Sequence, residues 1–189
     1  VLTVPYALKR STKVFHDHEP HPTQRLTASG ILAVSSNTGS IQIGEMLSND
    51  TLHNYLSKFG IGEKTGSGLP GESRGILPKV ADWSGTTAPT VAFGQGYSLT
   101  AMQATSVFAT IANDGVRVSP TVIAGTSDAS GNYTPSAARE SVRVISSETA
   151  QKMRIMMESV VSANGTAPTA AIAGYRVAGK TGTAMRIDD

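Results

Sequence analysis

Apolar residues along this 189-residue chain recur mainly at helical spacing. Leu52, Tyr55, Leu56 and Phe59 stand at i, i+3, i+4 and i+7, which predicts an amphipathic helix capped at Asn49 or Asp50 and stopped by Gly60. A helix is also expected from near Thr27, carrying Ile31, Leu32 and Val34 towards Ser35-Ser36-Asn37. The most clearly marked helix starts at Thr100. There Thr100-Ala-Met-Gln103 has the form of a capping box, in which each end residue satisfies an orphan amide of the other. Met102, Val107, Phe108 and Ile111 are expected to supply its apolar contacts, and Gly115 to end it. Met153, Met156, Met157, Val160 and Val161 mark another buried face, with the methionines read as flexible core filler.

Short strands are expected at residues 118–123 and 142–145, with a polar loop at 127–135 between them. A further strand at 175–178 should lead into Gly179-Lys180-Thr181-Gly182-Thr183. The opening through Pro22 reads as irregular, and glycine-rich residues 60–87 as a long structured loop. No repeat at a solenoid period is present. The pattern is that of a mixed α/β chain.

Composition narrows the function classes. Hydrophobic residues make up 39% and charged residues 16%, as in a globular chain, and the length suits one domain with a real core rather than two. A net charge of +2, with no dense Lys/Arg tract, argues against a nucleic-acid partner. The absence of cysteine removes disulfides, thiolate metal sites and cysteine nucleophiles. No apolar run reaches the length of a membrane span. His16, His18 and His21 form a cluster, but with Asp17 and two prolines among them neither helix nor strand spacing aligns the imidazoles. An exposed loop is expected there, with no metal and no cofactor.

Two short patterns carry the candidate chemistry, Ser35-x-Asn37 and Lys180-Thr181-Gly182. A second K-T-G triplet, Lys64-Thr65-Gly66, lies in the glycine-rich loop. Only the copy at Lys180 follows a β pattern and is continued by Thr183, as a substrate-binding strand edge requires: glycine admits the substrate backbone and hydroxyls hold it. Gln95 and Tyr97 are read as packing residues of their loop.

Together these motifs resemble the penicillin-binding protein and serine β-lactamase superfamily, whose signature set is S-x-x-K, S-x-N and K-T-G. The resemblance extends through Leu26-Thr-Ala-Ser-Gly-Ile-Leu-Ala-Val-Ser-Ser-Asn-Thr-Gly39, Phe59-Gly-Ile-Gly62, Thr65-Gly-Ser-Gly-Leu-Pro-Gly-Glu72, Phe93-Gly-Gln-Gly-Tyr-Ser-Leu-Thr100 and Ala112-Asn-Asp-Gly115. These blocks follow the family's order over about residues 27–184. Leu69-Pro-Gly-Glu72 and the long separation of Ser35 from Lys180 are similar to a class B transpeptidase rather than a β-lactamase.

The resemblance implies a transpeptidase-type α/β fold, with a mostly antiparallel sheet flanked by helices and an all-helical lobe. Residues 1–189 would be a partial domain, lacking the upstream S-x-x-K segment and the downstream strands and closing helix. The implied reaction is peptidoglycan cross-linking by D,D-transpeptidation through a serine acyl-enzyme, which β-lactams also form. It implies Ser35, Asn37 and Lys180 as catalytic residues, with Thr181, Gly182 and Thr183 binding substrate. The chain departs from the pattern in one respect. No lysine has a serine three residues upstream, and Thr149-x-x-Lys152 is the nearest mimic. The nucleophile is therefore expected outside this chain, which alone should be inactive. Implied partners are the peptidoglycan stem peptide, β-lactams and other division or cell-wall synthesis proteins. The implied location is the extracytoplasmic face of the bacterial membrane, held by an N-terminal anchor absent from this chain. A non-catalytic β-lactam sensor, or a degenerate structural homologue in a cell-division complex, is the alternative.

Overall fold

The computed structural model describes residues 1–183; Ala184, where the sequence resemblance ends, lies outside them. These residues fall into two compact units. The first gathers Val1–His53, Pro78–Tyr97 and the chain from Gln151 onward. Its opening is not irregular as the sequence suggests. Strand β1 (Leu2–Val4) pairs antiparallel with β4 (Gln24–Leu26), and β2 (Ala7–Arg10) forms a hairpin with β3 (Lys13–His16). Short alternation, Val4 and Phe15 inward and Lys9 and Lys13 outward, was the signal; His and Pro around it obscured the period.

Helices cover this unit's core. Helix α1 (Ala28–Ala33) is capped by the Thr27 hydroxyl, which accepts from the Gly30 amide at 3.1 Å. Helix α2 (Asn37–Gly44) follows almost without pause and is capped by Ser36. Sequence periodicity does not reveal it, because Thr38 and Gly39 supply buried positions that no hydropathy pattern marks. Gly39 lets α2 close on α1: a Cβ there would stand 2.8 Å from the Ile31 side chain. Helix α3 (Asn49–Lys58), which begins in this unit and ends in the second, is where periodicity puts it, but the capping hydroxyl is that of Ser48, which accepts from the Thr51 amide. Helix α4 (Thr87–Ala92) packs on α2. Ile31, Ile41 and Val91, with Val4 and Phe15, are buried here, as are Met157, Val160 and Val161.

The second unit, Asn54–Leu77 with Ser98–Ala150, holds α5 (Ala101–Ala112), β5 (Val116–Val118) paired with β8 (Ser141–Arg143), and β6 (Gly125–Ser127) paired with β7 (Tyr133–Pro135). All these ladders are antiparallel. Of the expected residues 118–123 only Val118 lies in β5: the Ser119 amide still donates to Glu140 O at 3.0 Å, and Pro120, which has no amide proton, cannot continue the ladder. The capping box of α5 is present in full. Its inward face differs from expectation: Gln103, Ser106 and Thr110 are buried, whereas Phe108 is exposed. The reason is that Gln103 serves the glycine-rich loop. Its Nε2 donates to the carbonyls of Glu63 (2.7 Å), Arg74 (2.9 Å) and Gly60 (3.2 Å), and its Oε1 accepts from the Thr100 amide at 2.7 Å. A loop without a ladder must find partners for its carbonyls elsewhere, and one amide side chain provides them.

Helix α6 (Ser147–Glu158) carries the methionine-rich face, of which Met157 is buried. The strand expected at 175–178 is not formed. Backbone amides here turn to Ile172 (from Tyr175) and to Met157 (from Gly179), not to a neighbouring strand. Strand conformation needs a ladder partner, and none pairs with this segment among the described residues. Among the described residues no helix is long and apolar enough to cross a membrane.

Candidate functional site

Ser35 sits where α1 stops and α2 starts. Its amide donates to Leu32 O at 3.2 Å, and the Ser36 amide reaches back to Ile31 O at 3.0 Å. These two bonds form a Schellman closure, in which the residue after the cap takes left-handed backbone geometry. Ser35 does so at φ 56°, a position that ordinarily favours glycine. The next residue reverses role and opens α2: Ser36 Oγ accepts from the Gly39 amide at 2.9 Å. Helix end, left-handed residue and helix start therefore occupy consecutive positions, and they fix where the Ser35 hydroxyl stands.

Lys180 completes the pair. Its Nζ donates to Ser35 Oγ at 2.5 Å and to the carbonyl of Thr181 at 3.0 Å. An ammonium has donors only, so Ser35 Oγ is the acceptor and its own proton stays free for another partner. Removal from water pushes the Lys180 pKa below the ordinary lysine value. Left-handed strain at Ser35 costs about 1 kcal/mol. A partly exposed charge-assisted hydrogen bond contributes about as much, so the two roughly offset. The geometry thus persists because the surrounding bonds over-determine it.

Two further residues build the site, and sequence motifs name neither. Thr166, in the loop after α6, bonds through its amide to Ala33 O at 3.1 Å, and its hydroxyl lies 2.8 Å from that of Thr181. It thereby ties the end of α1 to the K-T-G segment; the Gly165-Thr166 turn was its only sequence signal. Asp17, just past β3, bonds the start of α2. Asn37 is the first residue of α2, and its Nδ2 donates to the His16 carbonyl at 2.9 Å. Gly182 is open: a Cβ there would meet no protein atom within 4 Å, so internal packing does not demand the glycine. Thr183 is exposed beside it.

The other candidates lie apart from this chemistry. Lys64-Thr65-Gly66 belongs to the second unit, where Thr65 is buried and both its amide and its hydroxyl bond Glu72. Tyr97 is half-buried, and that burial raises its phenol pKa. His21 bonds Asp17 at 2.9 Å and Pro22 O at 2.8 Å, while His18 is exposed beside Glu19. Among the described residues no group of three acidic, His or Cys side chains is arranged to hold a metal ion.

The family model described as penicillin binding protein transpeptidase domain matches residues 3–189. The chain is 40% identical over 194 residues to penicillin-binding protein PbpB of Mycobacterium tuberculosis, covering 100% of this chain and 29% of that protein. To peptidoglycan D,D-transpeptidase FtsI of Escherichia coli (strain K12) it is 32% identical over 188 residues, covering 98% and 29%. Penicillin-binding protein 3 from Mycobacterium tuberculosis, solved in complex with aztreonam, superposes with a TM-score of 0.96 at 40% identity, covering 100% of this chain and 43% of that one. The chain thus spans 29% of the length of either curated relative.

Proposed function

This chain belongs to the penicillin-binding protein transpeptidase family, in its class B branch, and from that premise we propose that the whole protein is a serine-type D,D-transpeptidase that cross-links peptidoglycan. A serine outside these residues attacks the penultimate D-Ala carbonyl of a stem peptide. The C–N bond to the terminal D-Ala breaks, and that amine leaves with a proton. An acceptor amine then takes the acyl group and releases the serine. β-Lactams, one of which, aztreonam, is bound by the mycobacterial relative, would acylate the same serine of this protein. The 189 residues form part of that one domain.

The observation that carries this reading is the 2.5 Å bond from Lys180 Nζ to Ser35 Oγ, which joins the two motifs at one point. With its acceptor side engaged, Ser35 directs its proton to the leaving amine. Lys180 keeps the local potential positive, which favours both the substrate carboxylate and that transfer. The hydroxyls of Thr181 and Thr183 bind the carboxylate. The open face at Gly182 admits the peptide as an added strand. The Thr183 amide forms half of the oxyanion hole, where a donor is typically worth ~3 kcal/mol. Asn37 holds the substrate amide. The protein works on the outer face of the cytoplasmic membrane alongside other wall-synthesis proteins.

Fluorescent penicillin tests this. The complete protein should carry a label that survives denaturation, and Ser35→Ala or Lys180→Ala should slow acylation about a hundredfold. Folded complete protein that never acquires the label overturns the reading.

A further inference from the structure

Next to the Ser35–Asn37 turn lies a buried carboxylate that the chemistry above does not use. Asp17 is only 9% exposed. Its Oδ2 accepts from Ser36 Oγ at 2.7 Å and lies 3.5 Å from the Thr38 hydroxyl, and its Oδ1 accepts from the Thr38 amide at 2.8 Å. The preceding carbonyl, His16 O, accepts from Asn37 Nδ2 at 2.9 Å. Ser36, Asn37 and Thr38 are thus each bound by the two-residue corner that ends β3. The corner is fixed in turn. Asp17 N donates to Tyr6 O at 3.0 Å, and the Thr38 hydroxyl donates to Pro5 O at 2.7 Å. A carboxylate at this place also meets the positive end of α2.

Asp17, Ser36 and His21 together contain the residue types of a hydrolytic triad, but their order rules one out. His21 Nε2 lies 2.9 Å from the same Asp17 Oδ2 that takes the Ser36 proton, so the carboxylate separates imidazole from hydroxyl. A general base has to touch its nucleophile. Ser36, 2% exposed, also spends a lone pair on the Gly39 amide. The cluster binds; it does not react. His21 is itself packed edge-on against the Tyr6 ring, with centroids 5.9 Å apart.

We propose that Asp17 is a positioning residue for acyl transfer, which holds Ser36, Thr38 and, through the His16 carbonyl, Asn37, so that Ser35 keeps its place against Lys180. This rests on the transpeptidase reading above. In Asp17→Asn the charge is lost, and the NH2 group either faces the Thr38 amide, donor against donor, or faces Ser36 and His21, where the hydroxyl must accept instead of donate and the imidazole must be neutral. The turn then loses its registration while the rest of the unit keeps its core.

The test uses the complete protein and fluorescent penicillin, with the acylation rate constant at saturation measured apart from the apparent affinity. Asp17→Asn should lower the saturating rate constant at least tenfold and change the affinity less than threefold. Asn113→Ala, an α5 capping change in the second unit, should lower thermal stability yet acylate at the wild-type rate. If Asp17→Asn does not fold, Ser36→Ala, which removes one of the bonds to Asp17 without changing charge, should lower the same rate constant at least threefold. A folded Asp17→Asn protein at the wild-type rate constant overturns the proposal. So does Ser36→Ala at the wild-type rate constant where Asp17→Asn cannot be folded. Wild-type protein that takes no label overturns the transpeptidase reading instead, so the two failures are distinct.

Discussion

Lys180 donates a hydrogen bond to a serine, Ser35, whose backbone lies in the left-handed region that closes helix α1. Fold and chemistry make opposite demands on that position. A helix end of this kind is best served by glycine, whereas the ammonium needs an oxygen to meet.

Ser35→Gly and Ser35→Ala therefore separate the two demands. Both remove the hydroxyl and should slow acylation of the complete protein about a hundredfold. Only glycine relieves the backbone, so it should be more stable than alanine by about 1 kcal/mol. Urea denaturation of the pair measures the difference. Equal stability would mean that Ser35 is unstrained.

Lys180 should lose its proton below the ordinary lysine pKa of about 10.4, because its ammonium is partly withdrawn from water. Acylation should then fall on the alkaline side earlier than a free lysine would dictate, and Lys180→Arg should push that limb beyond the measurable range. Stability moves the other way. Between the lowered and the ordinary pKa the unfolded chain binds more protons, so unfolding free energy rises with pH across that window. A pH–rate profile whose alkaline limb is the same in Lys180→Arg would count against the assignment.

His21 predicts a stability trend of its own. The Pro22 carbonyl first, and the Asp17 carboxylate second, raise its pKa above the ordinary histidine value. That stabilisation is complete below about pH 6.5 and is lost as pH rises through the raised value. Melting temperature followed from pH 5.5 upward should fall through this window in the wild type, and His21→Gln should flatten the curve.

Gln103 holds loop carbonyls that have no ladder to join. Gln103→Ala leaves the Thr100 amide and the Glu63 and Arg74 carbonyls short of partners, which should cost about 2–3 kcal/mol. Gln103→Glu should be worse, since a carboxylate oxygen would face those carbonyls. Denaturant midpoints decide; a neutral Gln103→Ala would mean that water satisfies the loop.

The sequence was most legible where a signal is local. The capping box at Thr100 and the helical period of α3 needed only neighbours along the chain, and box and helix are both present, although Tyr55 of the periodic set is exposed. The pairing of Ser35 with Lys180 became legible through the order of two motifs, which no periodicity supplies. Asp17 and Thr166 stayed hidden because each acts through backbone groups, the Thr38 amide and the Ala33 carbonyl, whose positions exist only after folding. The inward face of α5 misled for a related reason: hydropathy ranks Phe108 above Gln103, but carbonyl satisfaction reversed the ranking. The expected strand at 175–178 failed because propensity describes a residue, whereas strand formation needs a second chain segment.

The junction of α1 and α2 has no slack, since Ser35 ends one helix and Ser36 begins the next. Each residue of an α-helix advances its side chains by about 100° around the axis. A one-residue insertion or deletion between Ala33 and Thr38 would swing α2 by that angle, aiming Ile41 at solvent and carrying Asn37 off the His16 carbonyl. Residue count at this junction is consequently as constrained as residue identity.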